Sequence, residues 1–253
     1  MATAHVSARD PRIRTLLSPR TPSGTVLAEG NWAHRYLLDV DADIETFVFC
    51  PALLAGPAHK LAEAVARRAQ AAFEVSVKTY ARIGRRAEPS GLASLVRLPV
   101  WPMPEIHDGT RVLVADGIEY ATNLGALIRV VDASGAQALI ITNRQARLEH
   151  PDVFTASRGT LLTTPVIDFG EPSAAAAWLA REGFTVHLAL PQASGDFRNL
   201  PYSSGPRAIV VGSEGRGISP QWRSVPHRAV SIPMRGRADS LNVAVAAGVL
   251  LFH

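Results

Sequence analysis

The chain has 253 residues, of which 47% are hydrophobic and 19% charged, and a formal net charge of +4. That composition belongs to a globular protein of one large or two modest domains with a sizeable core. No run reaches the ~18 apolar residues of a membrane span, so no membrane partner is expected. The opening MATAHVSARDPRIR lacks the apolar centre of a secretory signal. Cys50 is the single cysteine, which excludes an intrachain disulfide and a cysteine-based zinc site. The eight histidines are scattered without ligand spacing, so a structural or surface role and no metal is the expectation. A cytoplasmic location follows as the simplest reading.

Residues 1 to about 20 mix Pro, Ser and Arg and predict an arm with one short helix. Thr25–Ala28 reads as a strand, Trp32–Val40 as a helix and Thr46–Cys50 as a second strand. A helical pattern then covers 52–71, followed by strands at Phe73–Val75 and Ser94–Leu98. This alternation describes a small α/β domain over residues 1–98. Its cations cluster at Arg12, Arg14 and Arg20 and again at Lys78, Arg82, Arg85 and Arg86. Arg82, Arg85 and Arg86 are candidates for gripping phosphates. Apart from Lys60 and Lys78 the basic residues are all arginine, whose planar fork suits phosphates and base edges.

Three prolines, Pro99, Pro102 and Pro104, oppose helix and central strand alike and mark 99–109 as a linker. A second domain over 110–253 opens on the buried strand Arg111–Asp116. A helix at Asn123–Val131, a strand at Ala138–Thr142, a helix at His150–Ser157 and a short strand at Pro165–Asp168 follow. Then come a helix at Ala174–Arg181 and strands at Thr185–Leu190, Ala208–Val211 and Ala229–Ile232. Ser240 sits where an N-cap would, ahead of a helical run from Leu241 to Phe252. The βαβ rhythm predicts a mostly parallel sheet with helices on both faces.

Two loops in this domain are placed where α/β sheets bind ligands, beyond the strand ends. The first is Gly212-Ser213-Glu214-Gly215-Arg216-Gly217, where glycines permit tight turning and close approach. The second is Ile232-Pro233-Met234-Arg235-Gly236-Arg237-Ala238-Asp239-Ser240-Leu241-Asn242. With Asn123-Leu124-Gly125-Ala126-Leu127-Ile128-Arg129 upstream, these resemble the three motifs of the SpoU (TrmH-like) family of RNA 2'-O-ribose methyltransferases, of the SPOUT class. The resemblance is close from about residue 110 onward and loose before it.

The resemblance implies a trefoil-knotted parallel-sheet methyltransferase domain preceded by a small RNA-binding α/β domain of ribosomal-protein type. It implies S-adenosylmethionine as cofactor, a homodimer and an RNA substrate, with ribosomal RNA favoured over transfer RNA. By the same resemblance Leu190, Gly212, Ile232, Ser240, Leu241 and Asn242 bind the cofactor. Arg129 is the leading catalytic residue. A guanidinium stays protonated and is no base, so its expected role is to anchor the target phosphate and polarise the ribose. Asn123 orients the nucleotide or Arg129, Glu214 positions its loop or Asn242, Ser240 touches the ribose, and Arg158 adds a phosphate contact.

The sequence departs from the family pattern at Tyr120-Ala121, where Asp-Pro is common, and at Val130-Val131, where small or hydroxylated residues are usual. It also ends at His253, earlier than most relatives, which raises the expectation of a short knot helix. Two alternatives stay open: a transfer-RNA 2'-O-methyltransferase, and a non-catalytic RNA-binding or ribosome-assembly protein of the same fold. A dinucleotide-dependent oxidoreductase is disfavoured, because no G-x-G-x-x-G follows the first strand of this domain.

Overall fold

The computed structural model describes residues 3–18, 20–85, 88–199 and 205–253. The chain divides into two compact units, Met1–Pro99 with Leu148–Thr163, and Val100–Arg147 with Thr164–His253.

In the first unit β1 (Ala4–Val6), β2 (Thr25–Glu29), β3 (Ile44–Phe49), β4 (Ala71–Val75) and β5 (Leu92–Arg97) form a mixed sheet in the order β1-β4-β3-β5-β2. β1, β4 and β3 are parallel, and β5 runs antiparallel to β3 and to β2. Helices α1 (Asn31–Asp39), α2 (Ala58–Arg68) and the single turn α3 (Val77–Tyr80) complete its regular elements up to residue 99. The core gathers Leu27, Val48, Phe73, Val75, Tyr80 and Leu95.

Two expectations differ here. The opening residues are not only an arm with a short helix: Ala4–Val6 pairs in parallel with Phe73–Val75, followed by a 3-10 turn at Pro11–Ile13. The helix expected over 52–71 is shorter. A 3-10 turn at Pro51–Leu53 runs into extended Leu54, and Gly56 adopts φ +49, which interrupts right-handed helix. α2 then starts after Pro57, whose ring already holds a helical φ.

Residues 98–110 carry no helix or strand. Beyond them come β6 (Arg111–Asp116), α4 (Ala121–Ser134), β7 (Ala138–Thr142), α5 (Pro151–Ala156), β8 (Val166–Gly170) and α6 (Pro172–Arg181). The chain continues through β9 (Thr185–Ala189), β10 (Arg207–Gly212), α7 (Pro220–Arg223), β11 (Arg228–Val230) and α8 (Val243–Leu251).

Residues 148–163, which lie within the domain expected over 110–253, group by their contacts with the first unit. The reason is local packing. Phe154 stacks on Trp32 with centroids 5.6 Å apart, and Glu149 Oε1 accepts the Gly24 N–H at 3.3 Å. Gly159 lies under the Tyr36 ring, where a Cβ would come within 2.5 Å of ring carbons.

In the second unit six strands lie in the order β11-β9-β10-β6-β7-β8, every pair parallel. Strands buried on both faces need apolar residues at successive positions, which β6, β7 and β10 supply. Val112, Val114, Ile140 and Val210 pack with Trp178 and Leu179 of α6 and Trp222 of α7. The alternate residues Leu113, Leu139, Ile141 and Ile209 are buried on the opposite face, where α4 and α8 pack together and against the sheet. From β6 the chain steps outward to β7 and β8. It then crosses to β9, and β10 fills the place between β9 and β6. The direction of winding therefore reverses between β6 and β10, the position where open α/β sheets leave a crevice.

Candidate functional site

All six strands of the second sheet end on one edge, and at that edge the apolar pattern stops. Asp116, opposite Gly212 in the register, is 1% exposed. Its Oδ1 accepts from Thr142 Oγ1 at 2.8 Å and Asn143 Nδ2 at 2.9 Å, and its Oδ2 accepts the Ser219 N–H at 2.7 Å. One carboxylate thus ties the end of β7 and the loop after β10 to the end of β6. Burial of such a group costs several kcal/mol unless hydrogen bonds replace water, and three are present.

The loop after β10 folds back tightly. Gly217 donates its N–H to the Ser213 carbonyl at 2.9 Å, and Ser213 Oγ accepts the Arg216 N–H at 3.1 Å. A Cβ on Gly212 would fall 2.1 Å from the Gly217 carbonyl carbon and 2.3 Å from the Ile218 nitrogen. Only glycine fits there.

Three polar side chains meet above this loop. Asn242 Nδ2 donates to Glu214 Oε1 at 2.8 Å and to Asn123 Oδ1 at 3.0 Å, and Asn123 Nδ2 donates to Glu214 Oε1 at 3.2 Å. They come from the first turn of α4, the loop after β10 and the start of α8. Asn242, not Ser240, caps α8: its Oδ1 accepts the Ala244 N–H at 3.0 Å. Both residues are good cappers, but only from Asn242 can one side chain cap the helix and close the triangle.

A pocket opens beside the triangle, with Glu214 in the wall of both. Leu190, Gly212, Ile232, Ser240 and Leu241 line it, together with Pro191, Met234, Val243, Ala246 and Leu250. Its floor is held by backbone bonds, Leu190 N–H to Val230 O at 2.9 Å and Ser231 N–H to Gly195 O at 2.6 Å. The walls are largely apolar, with loop backbone at the rim. That combination suits a nucleoside carrying an aliphatic chain: apolar surface for the ring, backbone groups for its polar edge. Among the described residues no group of three His, Cys, Asp or Glu side chains is placed to hold a metal ion.

Arg129 is exposed on α4 and makes no hydrogen bond or ion pair with a described residue. Residues i and i+6 of a helix stand about 120° apart, so Arg129 and Asn123 occupy different faces. Arg82 and Arg85 are exposed after α3. The Arg85 guanidinium donates to the Ser18 carbonyl at 3.2 Å; Arg86 lies outside the described residues. Arg158 belongs to the first unit, with its guanidinium 4.3 Å over the Trp32 ring and a backbone φ of +54.

Asp116, Pro191 and Met234 are given no site role by the sequence expectations. For Asp116 one signal existed, an acid ending an apolar run just before a glycine. His187 on β9 is 3% exposed, and burial, reinforced by Arg228 and Arg207, pushes its pKa down to about 4. It is a neutral member of the sheet.

Comparison with known proteins places this geometry. The 23S rRNA (guanosine(2553)-2'-O)-methyltransferase RlmP of Bacillus subtilis is 26% identical over 181 residues, 72% of this chain and 71% of that protein. The 23S rRNA (guanosine-2'-O-)-methyltransferase RlmB of Ralstonia nicotianae is 35% identical over 155 residues, 60% of this chain and 62% of its own length. The AdoMet-bound crystal structure of an rRNA methyltransferase from Sinorhizobium meliloti superimposes with a TM-score of 0.83 at 26% identity, covering 99% of this chain and 96% of that one. The model of the SpoU rRNA Methylase family matches residues 110–252, more than half of the chain and all of the site just described: the chain belongs to that family.

Proposed function

We propose that this chain transfers the methyl group of S-adenosylmethionine to a ribose 2'-hydroxyl of ribosomal RNA. The observation that carries the reading is the Asn123–Glu214–Asn242 triangle at the wall of an apolar pocket on the carboxyl edge of a parallel sheet. The relatives named as 23S rRNA methyltransferases support the substrate, and the AdoMet-bound neighbour supports the cofactor.

Bound in the pocket, the cofactor supplies a methyl carbon already activated by a sulfonium. The chain's work is to position, to exclude water and to manage one proton. Leu190, Ile232 and Leu241 form the dry wall, Gly212 lets the backbone approach, and Asn242 holds Glu214 and Asn123 in place. Arg129, free of protein partners among the described residues, anchors the phosphate of the target nucleotide, while Asn123 orients the nucleotide and Ser240 contacts its ribose. The hydroxyl proton passes to an RNA phosphate oxygen and from there to water.

The first unit, with Arg82, Arg85, Arg86 and Arg158, binds RNA outside the reaction site. The enzyme works as a cytoplasmic homodimer whose last helix threads a trefoil knot. Ala244, Ala246, Ala247 and Gly248 support close threading, and the exposed Val245 of α8 and Phe252 at its C-cap support a partner copy.

The test is incubation with methyl-labelled S-adenosylmethionine and total RNA, alongside Arg129→Ala. Alkali-resistant label in ribosomal RNA, reduced about 100-fold or more in the variant, is the expected result. Label in transfer RNA alone would overturn the ribosomal assignment, and absence of any cofactor binding would overturn the enzyme.

A further inference from the structure

Tyr120 immediately precedes α4, and the structure leaves its ring in water. It is 60% exposed, and its hydroxyl makes no hydrogen bond with a described residue. Its backbone is nevertheless fixed: Tyr120 is the N-cap residue of α4, extended at φ −94, with its carbonyl accepting the Leu124 N–H at 3.0 Å. The ring is thus presented from a rigid point one turn ahead of Asn123. Glu119, its neighbour, reaches Arg216 in the loop that carries Glu214, with Oε1 3.9 Å from Nε. The Arg216 side chain is 89% exposed. An exposed aromatic side chain and a solvent-facing guanidinium therefore stand on the two segments that carry Asn123 and Glu214 of the polar triangle.

We infer that Tyr120 is a stacking platform for an unpaired nucleobase at the methylated position or next to it, with Arg216 taking the adjoining phosphate. A base inside a duplex has both faces covered by its neighbours and cannot use such a platform, so the acceptor is taken as single-stranded or looped RNA. Stacking on an aromatic side chain tolerates every base. Tyr120 consequently sets the strandedness of the substrate, not its sequence. This inference rests on the proposed RNA substrate and adds the form in which that substrate is recognised.

The experiment uses the full chain and a short single-stranded RNA carrying 2-aminopurine, compared with the same strand in a blunt duplex. The unsubstituted protein should prefer the single strand and quench its fluorescence. Tyr120→Ala should weaken single-strand binding about tenfold and abolish the quench, while Tyr120→Phe restores both. Retained cofactor binding in Tyr120→Ala shows that the unit is folded. Equal affinity for strand and duplex, or an alanine variant that binds like the unsubstituted protein, would overturn the inference. If total RNA still accepts label in that case, only the role of Tyr120 falls. If neither oligonucleotide binds and no RNA accepts label, the substrate reading falls with it.

Discussion

The two sheets of this chain use buried polarity in opposite ways. Against the mixed sheet of the first unit, His34 of α1 is fully buried, donating from Nδ1 to the Gly30 carbonyl at 2.8 Å and accepting at Nε2 the hydroxyl of Ser94 on β5, 2.9 Å away. Both ring nitrogens are used internally. In the parallel sheet, Asp116 is as deeply buried, but its hydrogen bonds join the end of β7 to the loop after β10, which lines the pocket and carries Glu214. Strand direction explains the difference. Parallel strands discharge all their carboxyl ends on one edge, so their loops converge, whereas antiparallel pairs send loops to both edges. Polarity buried between helix and mixed sheet stabilises; polarity buried at a parallel edge also shapes a site.

Gly212→Ala should break the second sheet's edge most severely. Backbone atoms of Gly217 and Ile218 occupy the place of the new methyl, so the loop after β10 must open, at a cost of about 3 kcal/mol. Loss of measurable cofactor binding by equilibrium dialysis, with the first unit still folded by hydrogen exchange, is the expected outcome.

His34 gives the first unit a pH dependence of nearly that size. Burial lowers its pKa from 6.5 to about 4, so the unfolded chain takes up its proton first. Stability present above pH 6.5 drains away as pH falls towards 4, by at most about 3 kcal/mol, and no further from this group below that. His187, lowered to about 4 as well, acts in the same window in the second unit. Denaturant melts of His34→Gln between pH 7.5 and 4.5 should therefore show about half the original slope. An unchanged slope would assign the effect elsewhere.

Asp116→Asn sharpens the comparison further. The amide cannot satisfy Ser219, Thr142 and Asn143 as the carboxylate does. About 1–3 kcal/mol of stability should go, together with a roughly tenfold weaker cofactor affinity. A loss of stability with cofactor affinity intact would make the residue merely structural. Arg158→Ala should be the mildest, about 0.5–1 kcal/mol from its stacking on Trp32, read as a small drop in Tm beside a measurable loss of RNA affinity.

Strands of the second sheet were legible because runs such as Val112–Ala115 and Ala208–Val211 have to be apolar on both faces. β1 was not, since three residues with two exposed side chains leave no period to detect. The cap of α8 was misplaced by two residues because serine and asparagine cap equally well, and only tertiary geometry gives Asn242 its second task. The triangle could be named from motif resemblance, but no spacing within the sequence reveals that Asn123 and Asn242, 119 positions apart, touch. Asp116 carried one local signal, an acid closing an apolar run before a glycine, but its partners Thr142, Asn143 and Ser219 are distant in sequence, so its tie between two loops was not legible.

The place of β10 has a kinetic consequence. It sits between β9 and β6, so the two halves of the parallel sheet cannot join until residues 207–212 are available to bridge them. Contacts of such sequence separation close slowly, and the triangle depends on them. The pocket beside the triangle should therefore be among the last features to form during refolding. Cofactor binding, followed in time against helix formation, would lag it and would serve as a clock for the completed sheet.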